Sequence, residues 1–321
     1  MSGSPPVYRA PRWLPGGNLQ TLYPALLAPV PAVAWHRERQ DTPDGDFIDL
    51  DWTEPGGGDG RQPLLALFHG LEGSSNSHYA RALMHAAMQR GWQGVVVHFR
   101  GCSGEINRLP RAYHSGDSAE IDWILRRLRE SHAGPLFACG ISLGGNALLK
   151  WLGEQGPAAT GILQRAAGIS APLDLQAAAT ALERGFNLAY TGHFLATMKR
   201  KSLAKLRAHP GLFDAARLRA ARTLREFDDL VTAPLHGFRG VDDYYDRSSS
   251  KPYLARIRVP TLLLNARNDP FLPSAALPAP HELAAEVTAL FPDEGGHVGF
   301  PDPAGTLDWL PHTVLEFFTG E

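Results

Sequence analysis

Ser142 stands in Gly140-Ile141-Ser142-Leu143-Gly144, a G-x-S-x-G that follows the apolar run Leu136 to Cys139 and precedes helical text from Asn146 to Leu152. Strand, tight turn and helix in that order hold a serine in a strained backbone with its hydroxyl presented. Glycines two positions to either side let strand and helix approach without clash. A serine hydroxyl is a weak nucleophile, so it needs an imidazole to take its proton and an acid to hold that imidazole in one tautomer. Among thirteen histidines, His297 in Glu294-Gly295-Gly296-His297-Val298-Gly299-Phe300 is best placed, in a glycine-rich loop between the last apolar run and the last helical one. The matching acid is Asp269, in Asn268-Asp269-Pro270 just past the run Thr261 to Leu264. Acyl transfer also needs N–H donors aimed at the developing oxyanion. These are expected from Leu143, which opens the helix after the serine, and from Leu71, in the loop His69-Gly70-Leu71-Glu72-Gly73.

Such a constellation requires a sheet whose strands end at a common edge, and the chain alternates short β-like runs with helical ones. Ala34 to Arg39 and Phe47 to Trp52, joined by the turn Pro43-Asp44-Gly45-Asp46, read as an antiparallel hairpin. Leu64 to Phe68, Val95 to Phe99, Leu136 to Ile141, Ala166 to Ser170, Thr261 to Leu264 and Val287 to Phe291 suit buried, mostly parallel strands. Ser77 to Gln89, Asp117 to Arg129 and Gly144 to Glu154 carry apolar residues three and four apart, with Ser115 or Asp117 as a cap for the second helix. After Ser170 the β-alternation stops. Alanine-rich helical text runs from Leu173 through Arg225, then an irregular stretch to Arg258, which together read as an inserted helical cap. A Pro-rich loop from Pro270 to Pro280 and a terminal helix from Gly305 to Phe318 complete the chain. The expected organisation is an N-terminal extension (1–33), a first core part (34–170), the cap (171–258) and a second core part (259–321). The expected class is α/β, with a central sheet of about eight strands. The order serine, aspartate, histidine matches the α/β-hydrolase arrangement and neither the chymotrypsin nor the subtilisin one.

Several longer stretches sharpen this reading. Trp13-Leu14-Pro15-Gly16-Gly17-Asn18-Leu19-Gln20-Thr21-Leu22, His69-Gly70-Leu71-Glu72-Gly73-Ser74, Phe99-Arg100-Gly101-Cys102-Ser103-Gly104 and Tyr113-His114-Ser115-Gly116 join the serine, aspartate and histidine motifs. In combination the chain resembles the YheT-like branch of the α/β-hydrolases, from about Trp13 to the terminal helix. The resemblance implies a Ser-Asp-His carboxylic-ester hydrolase, with Ser142, Asp269 and His297 as its triad. It also implies kinship with eukaryotic membrane-bound phospholipases, monoacylglycerol lipases and ethanol acyltransferases.

Composition narrows the field further. With 44% hydrophobic, 20% charged and 9% aromatic residues, the chain of 321 residues is ordinary globular text, neither disordered nor fibrous. A net charge of −2 disfavours nucleic acid as an obligate partner. Cys102 and Cys139 form no disulfide framework and no zinc-ligand spacing, so a reducing cytoplasm is expected. The apolar run from Pro24 to Trp35 holds three prolines and is shorter than the ~20 residues of a spanning helix, and Met1 to Pro11 has no signal-peptide core. No H-E-x-x-H and no G-x-x-x-x-G-K-[ST] occurs, so no metal and no organic cofactor is expected. Cys139 reads as core, Arg100 to Gly104 as a floor to the site's mouth, and His78, His85, His98, His114 and His132 as surface or core histidines. Glu72 is open between a structural charge and a partner of the oxyanion loop.

Between Lys199 and Arg225 nine basic residues face the single acid Asp214. A solvated helix face is the expectation, with peripheral contact to an anionic lipid surface or a phosphate-bearing acyl donor as the alternatives. In the cap, Leu182, Phe186, Leu188, Tyr190, Phe194, Leu195 and Met198 exceed what one helix stripe needs, so an apolar acyl pocket is expected above Ser142. The function expected is hydrolysis of small-molecule esters with short to medium acyl chains, lipid-derived or not, through an acyl-enzyme. The alternatives are acyl transfer to an alcohol acceptor, or a non-catalytic binding protein on the same scaffold.

Overall fold

Three strands begin directly after a proline, whose missing N–H has nothing to give to a ladder: Leu64–Phe68 after Pro63, Leu136–Ile141 after Pro135 and Thr261–Leu264 after Pro260. The computed structural model describes residues 7–54 and 60–320, so the first six residues of the Pro-rich N-terminus lie outside the described residues. Its strands are β1 (Trp35–Asp41), β2 (Phe47–Thr53), β3 (Leu64–Phe68), β4 (Gln93–His98), β5 (Leu136–Ile141), β6 (Arg165–Ile169), β7 (Thr261–Leu264) and β8 (Val287–Leu290). They form one eight-stranded sheet in the order β1-β2-β4-β3-β5-β6-β7-β8. The pairs β1–β2 and β2–β4 are antiparallel, as the opening hairpin requires. Every pair from β4–β3 to β7–β8 is parallel.

Alternation along each strand sorts the core into two layers. Leu64, Ala66 and Phe68 face α3 (Ser118–Ser131) and α4 (Leu143–Gln155), while Leu65 and Leu67 face α2 (His78–Gln89) and α11 (Trp309–Thr319). Burial on both faces explains why β3 and β5 are continuous apolar runs. Asp117 does occupy the position before α3, yet its side chain makes no cap, because Arg111 Nη2 donates to both carboxylate oxygens at 2.7 and 2.8 Å.

Three elements depart from expectation. A helix, α1 (Gly16–Leu26), stands in the N-terminal stretch where none was read. The terminal helix starts at Trp309, four positions after Gly305, because the Asp302 carboxylate takes the N–H groups of Ala304 and Thr306 and folds that stretch into a turn. Between β6 and β7 lie α5 (Leu175–Leu182), α6 (Asn187–Ala208), α7 (Ala215–Ala220) and α8 (Leu224–Phe227), and the text expected to be irregular adds more helix. It forms a π-helical turn (Asp228–Thr232), α9 (Ala233–Leu235), α10 (Val241–Ser248) and a 3₁₀ turn (Lys251–Arg256). These helices make their own apolar cluster around Leu195, Leu218, Phe227 and Val231. Among the described residues no helix is long and apolar enough to cross a membrane.

Candidate active site

The ends of the parallel strands put the chemistry together. Ser142 follows β5 with φ +51° and ψ −117°, the left-handed region that an ordinary side chain enters only under constraint. Close packing supplies the constraint. A Cβ at Gly140 would lie 2.5 Å from the Gly144 carbonyl oxygen, and one at Gly144 would lie 2.4 Å from that of Phe68. Ser142 N–H also donates to Ile169 O at 2.8 Å, tying the elbow to β6.

Ser142 Oγ donates to His297 Nε2 at 2.9 Å, and His297 Nδ1 donates to Asp269 Oδ2 at 2.8 Å. A carboxylate is an acceptor only, so this arrangement puts the imidazole proton on Nδ1 and leaves Nε2 free to accept. The other carboxylate oxygen, Oδ1, accepts the Phe271 N–H at 2.8 Å, and the Phe271 ring lies 4.3 Å from the imidazole. The three residues expected from sequence therefore meet in one hydrogen-bonded row.

Leu71 and Leu143 border the same cavity as Ser142 and His297. Among the described residues neither N–H has an acceptor, Leu143 because it opens α4 and Leu71 because its loop turns away from every ladder. That loop is held from beneath. His69 Nδ1 donates to Gly70 O at 2.7 Å and its Nε2 accepts the Phe99 N–H at 3.2 Å; burial pushes this imidazole down to about 3, which keeps it in the neutral form those two bonds need. Tyr79 OH accepts the Gly70 N–H at 3.0 Å.

Glu72, left open by the sequence, sits at φ +56°. Its N–H donates to Tyr113 OH at 2.9 Å, Tyr113 OH donates to its Oε1 at 2.8 Å, and Lys201 Nζ of α6 lies 2.8 Å from its Oε2. The basic stretch of the cap is thus not simply a solvated face. Lys201 reaches the Leu71–Glu72 loop, and the buried Lys205 donates to Asn107 Oδ1, Leu109 O and Arg111 O at 2.7, 2.8 and 2.7 Å. Burial lowers Lys205 to about 8. Asn146, also unread as a fastener, donates to Ser115 O and Ser248 O at 2.8 and 2.7 Å, joining α4 to the cap.

The space above Ser142 amounts to about 1300 Å³ when the open solvent at its mouth is included. Leu182, Phe194 and Met198 line it, whereas Phe186 and Leu188 are 55% and 53% exposed and Leu195 packs inside the cap. Arg100 and Gly101 border it, as expected of a floor. Burial pushes the Cys102 thiol up to about 12, so it is no thiolate nucleophile. His114 packs against His236 with the rings tilted by 55° and centroids 4.4 Å apart, and burial lowers the two to about 4 and about 3. Among the described residues no group of three or more His, Cys, Asp or Glu side chains is arranged to hold a metal ion.

Known proteins share both this text and this architecture. The chain matches the model of the alpha/beta hydrolase fold over residues 63–304. It is 42% identical over 312 residues to the Escherichia coli protein named "Putative esterase YheT", a match covering 94% of this chain and 90% of that protein. Phospholipase ABHD3 of Homo sapiens is 30% identical over 301 residues, covering 90% of this chain and 72% of that one. Among solved structures, Est1E from Butyrivibrio proteoclasticus superimposes with a TM-score of 0.57 at 13% identity, over 88% of this chain and 98% of its own. The extent of these matches, and not the serine motif alone, places the protein: it belongs to the α/β-hydrolase family, in the branch that contains YheT.

Proposed function

We propose that this protein is a serine hydrolase that cleaves carboxylic esters through an acyl-enzyme. The observation that carries the reading is the row Ser142–His297–Asp269, bonded at 2.9 and 2.8 Å beneath a largely apolar cavity. Ser142 Oγ attacks the ester carbonyl as His297 Nε2 takes its proton. His297 then gives that proton to the departing alkoxide, and Asp269 stabilises the imidazolium in between. The N–H groups of Leu71 and Leu143 receive the oxyanion. In deacylation His297 activates a water, and Ser142 regains its proton. The ester class is supported by relatives named esterase, phospholipase and, in Saccharomyces cerevisiae, monoacylglycerol lipase. Two free, buried cysteines fit a reducing cytoplasm.

The test is a fluorophosphonate probe followed by peptide mapping, together with product analysis on p-nitrophenyl butyrate with and without ethanol. Labelling at Ser142 and release of butyric acid are expected. Ethyl butyrate in preference to free acid would move the reading to acyl transfer. A folded protein that neither labels nor turns over would be a binding protein on a hydrolase scaffold.

The pair Glu72–Lys201 yields a second expectation. Glu72 follows Leu71 directly, and its side chain is only 9% exposed, so Lys201→Met leaves a charge without its cation and loosens the loop. Since losing an oxyanion donor outright costs about 10²–10³ in kcat, a displaced one should cost about tenfold, with KM little changed. Steady-state kinetics on p-nitrophenyl butyrate checks this, and an unchanged kcat would detach the cap from oxyanion binding.

A further inference from the structure

The loop carrying His297 belongs to no helix or strand, yet four consecutive backbone N–H groups in it are each taken by a side-chain oxygen from elsewhere. Gly295 N–H donates to Gln20 Oε1 at 2.9 Å, and Gly296 N–H to Asn268 Oδ1 at 3.0 Å. His297 N–H donates to Thr21 Oγ1 at 2.8 Å, and Val298 N–H to Ser170 Oγ at 3.0 Å. Two of these acceptors lie on α1. Gln20 Oε1 accepts a second bond, from Asn268 Nδ2 at 2.9 Å, so a single buried amide touches both the histidine loop and the residue before Asp269. Its Nε2 is occupied as well, donating to Leu14 O at 2.9 Å and Glu294 Oε1 at 3.2 Å. Backbones meet here too. A Cβ at Gly17 would lie 1.9 Å from Asn268 O, and one at Gly296 would lie 2.8 Å from Gln20 C.

The polarity of α1 is the reverse of an ordinary packing helix. Gln20 is fully buried and Thr21 nearly so, while Leu19 and Leu26 are 46% and 72% exposed. Packing for apolar burial would turn the leucines inward. A buried polar face is tolerated only for the hydrogen bonds it makes, and here those bonds go to the two loops that carry His297 and Asp269.

We infer that α1 is a positioning element of the active site, in which Gln20 and Thr21 hold the imidazole of His297 in register with Asp269 on one side and Ser142 on the other. The inference rests on the triad reading above. The two imidazole bonds must be made at once, and a loop with no ladder of its own keeps them only if something outside fixes its backbone. Thr21 does so with a hydroxyl that is itself oriented, donating to Gly17 O at 2.7 Å while accepting from His297 N–H.

Thr21→Val keeps the side chain's shape and removes the acceptor, whereas Thr21→Ser keeps the hydroxyl. For Thr21→Val, kcat on p-nitrophenyl butyrate and the rate of fluorophosphonate labelling at Ser142 should fall together by about tenfold or more, because an ångström-scale misplacement costs up to about 10²-fold. KM should stay within about twofold, as the pocket is untouched, and Thr21→Ser should restore both rates. A folded Thr21→Val that labels and turns over like wild type overturns the inference, as does a loss that Thr21→Ser fails to rescue. Amide hydrogen exchange on the wild-type protein reads the same clamp without activity. The N–H groups of Gly295 to Val298 should be protected although they lie in a loop, and exchange at the rate of an open chain would overturn the clamp even if Thr21→Val does not fold. Wild-type protein that is inert to the probe would refute the triad reading instead, a separate result.

Discussion

Asp269→Asn is expected to lower kcat by about 10⁴-fold while leaving the fold intact, the scale of the corresponding change in a serine triad. The geometry says why an isosteric change of one atom has so large an effect. Asp269 Oδ1 accepts the Phe271 N–H at 2.8 Å, so an asparagine here must keep its carbonyl oxygen on that side. Its amide nitrogen then faces His297 Nδ1 across the 2.8 Å now spanned by Oδ2. Two donors cannot share that line, so the imidazole moves its proton to Nε2, which now meets Ser142 Oγ and has no lone pair to accept the hydroxyl proton. Folding should be spared because size, shape and the bond from Phe271 are retained. Turnover of p-nitrophenyl butyrate and a thermal melt measure the two halves of the claim. Near-wild-type turnover in a folded variant would mean that another acid serves, with Asp242, Asp243 and Asp293 the first to test. Asp242 pairs with Arg225 at 2.6 Å, Asp243 with Arg239 at 2.9 Å, and Asp293 is 94% exposed beside Arg267.

What could be read from the sequence follows from where each residue's partners lie. Leu64–Phe68, Leu136–Ile141 and Thr261–Leu264 were legible to the residue, since a proline marks each start and burial on both faces demands an unbroken apolar run. Ser142, Asp269 and His297 were legible because motif, loop position and chain order constrain one another, and the structure brings them together. Helix α1 was not, because its buried residues are Gln20, Thr21 and Pro24 while Leu19 and Leu26 look outward, so periodicity has no apolar stripe to find. The signal it did leave was indirect, in the stretch Gly17-Asn18-Leu19-Gln20-Thr21, part of the text on which the family resemblance rested. Lys201 and Lys205 were misread for a related reason. Charge patterning is judged within a helix, but Glu72, Asn107 and the carbonyls of Leu109 and Arg111 come from loops far along the chain. The region after Arg225 lacked a sustained stripe because its helical pieces are short, change from α to π winding over Asp228–Thr232, and are interrupted at Gly237 and Gly240.

Acyl-chain length should be the largest determinant of kcat/KM among simple esters, rising from acetyl through butyryl toward octanoyl. Three of the seven large apolar residues picked out in the cap reach the cavity, Leu182, Phe194 and Met198, and Leu224, Phe227 and Val231 add to its apolar lining. Leu182 packs with Phe271, whose ring covers the imidazole, so the apolar wall starts beside the reacting carbonyl. Each methylene moved from water onto such a wall contributes up to ~0.8 kcal/mol, about fourfold in kcat/KM, and from acetyl to octanoyl the ceiling is on the order of 10³-fold. Because the contact is made in ground and transition states alike, the gain should appear mainly in KM, and it ends where the cavity is full. Leu182→Trp tests the location as well as the existence of the pocket: by filling space beside Phe194 and Phe271 it should move the best chain length downward while leaving acetyl-ester turnover nearly unchanged. A folded, probe-reactive enzyme with equal kcat/KM for acetyl, butyryl and octanoyl esters would show that these residues only dock the cap onto the core. A steady fall from acetyl onward would make the protein a small-acyl esterase, with the cap closing the cavity before a longer chain can enter.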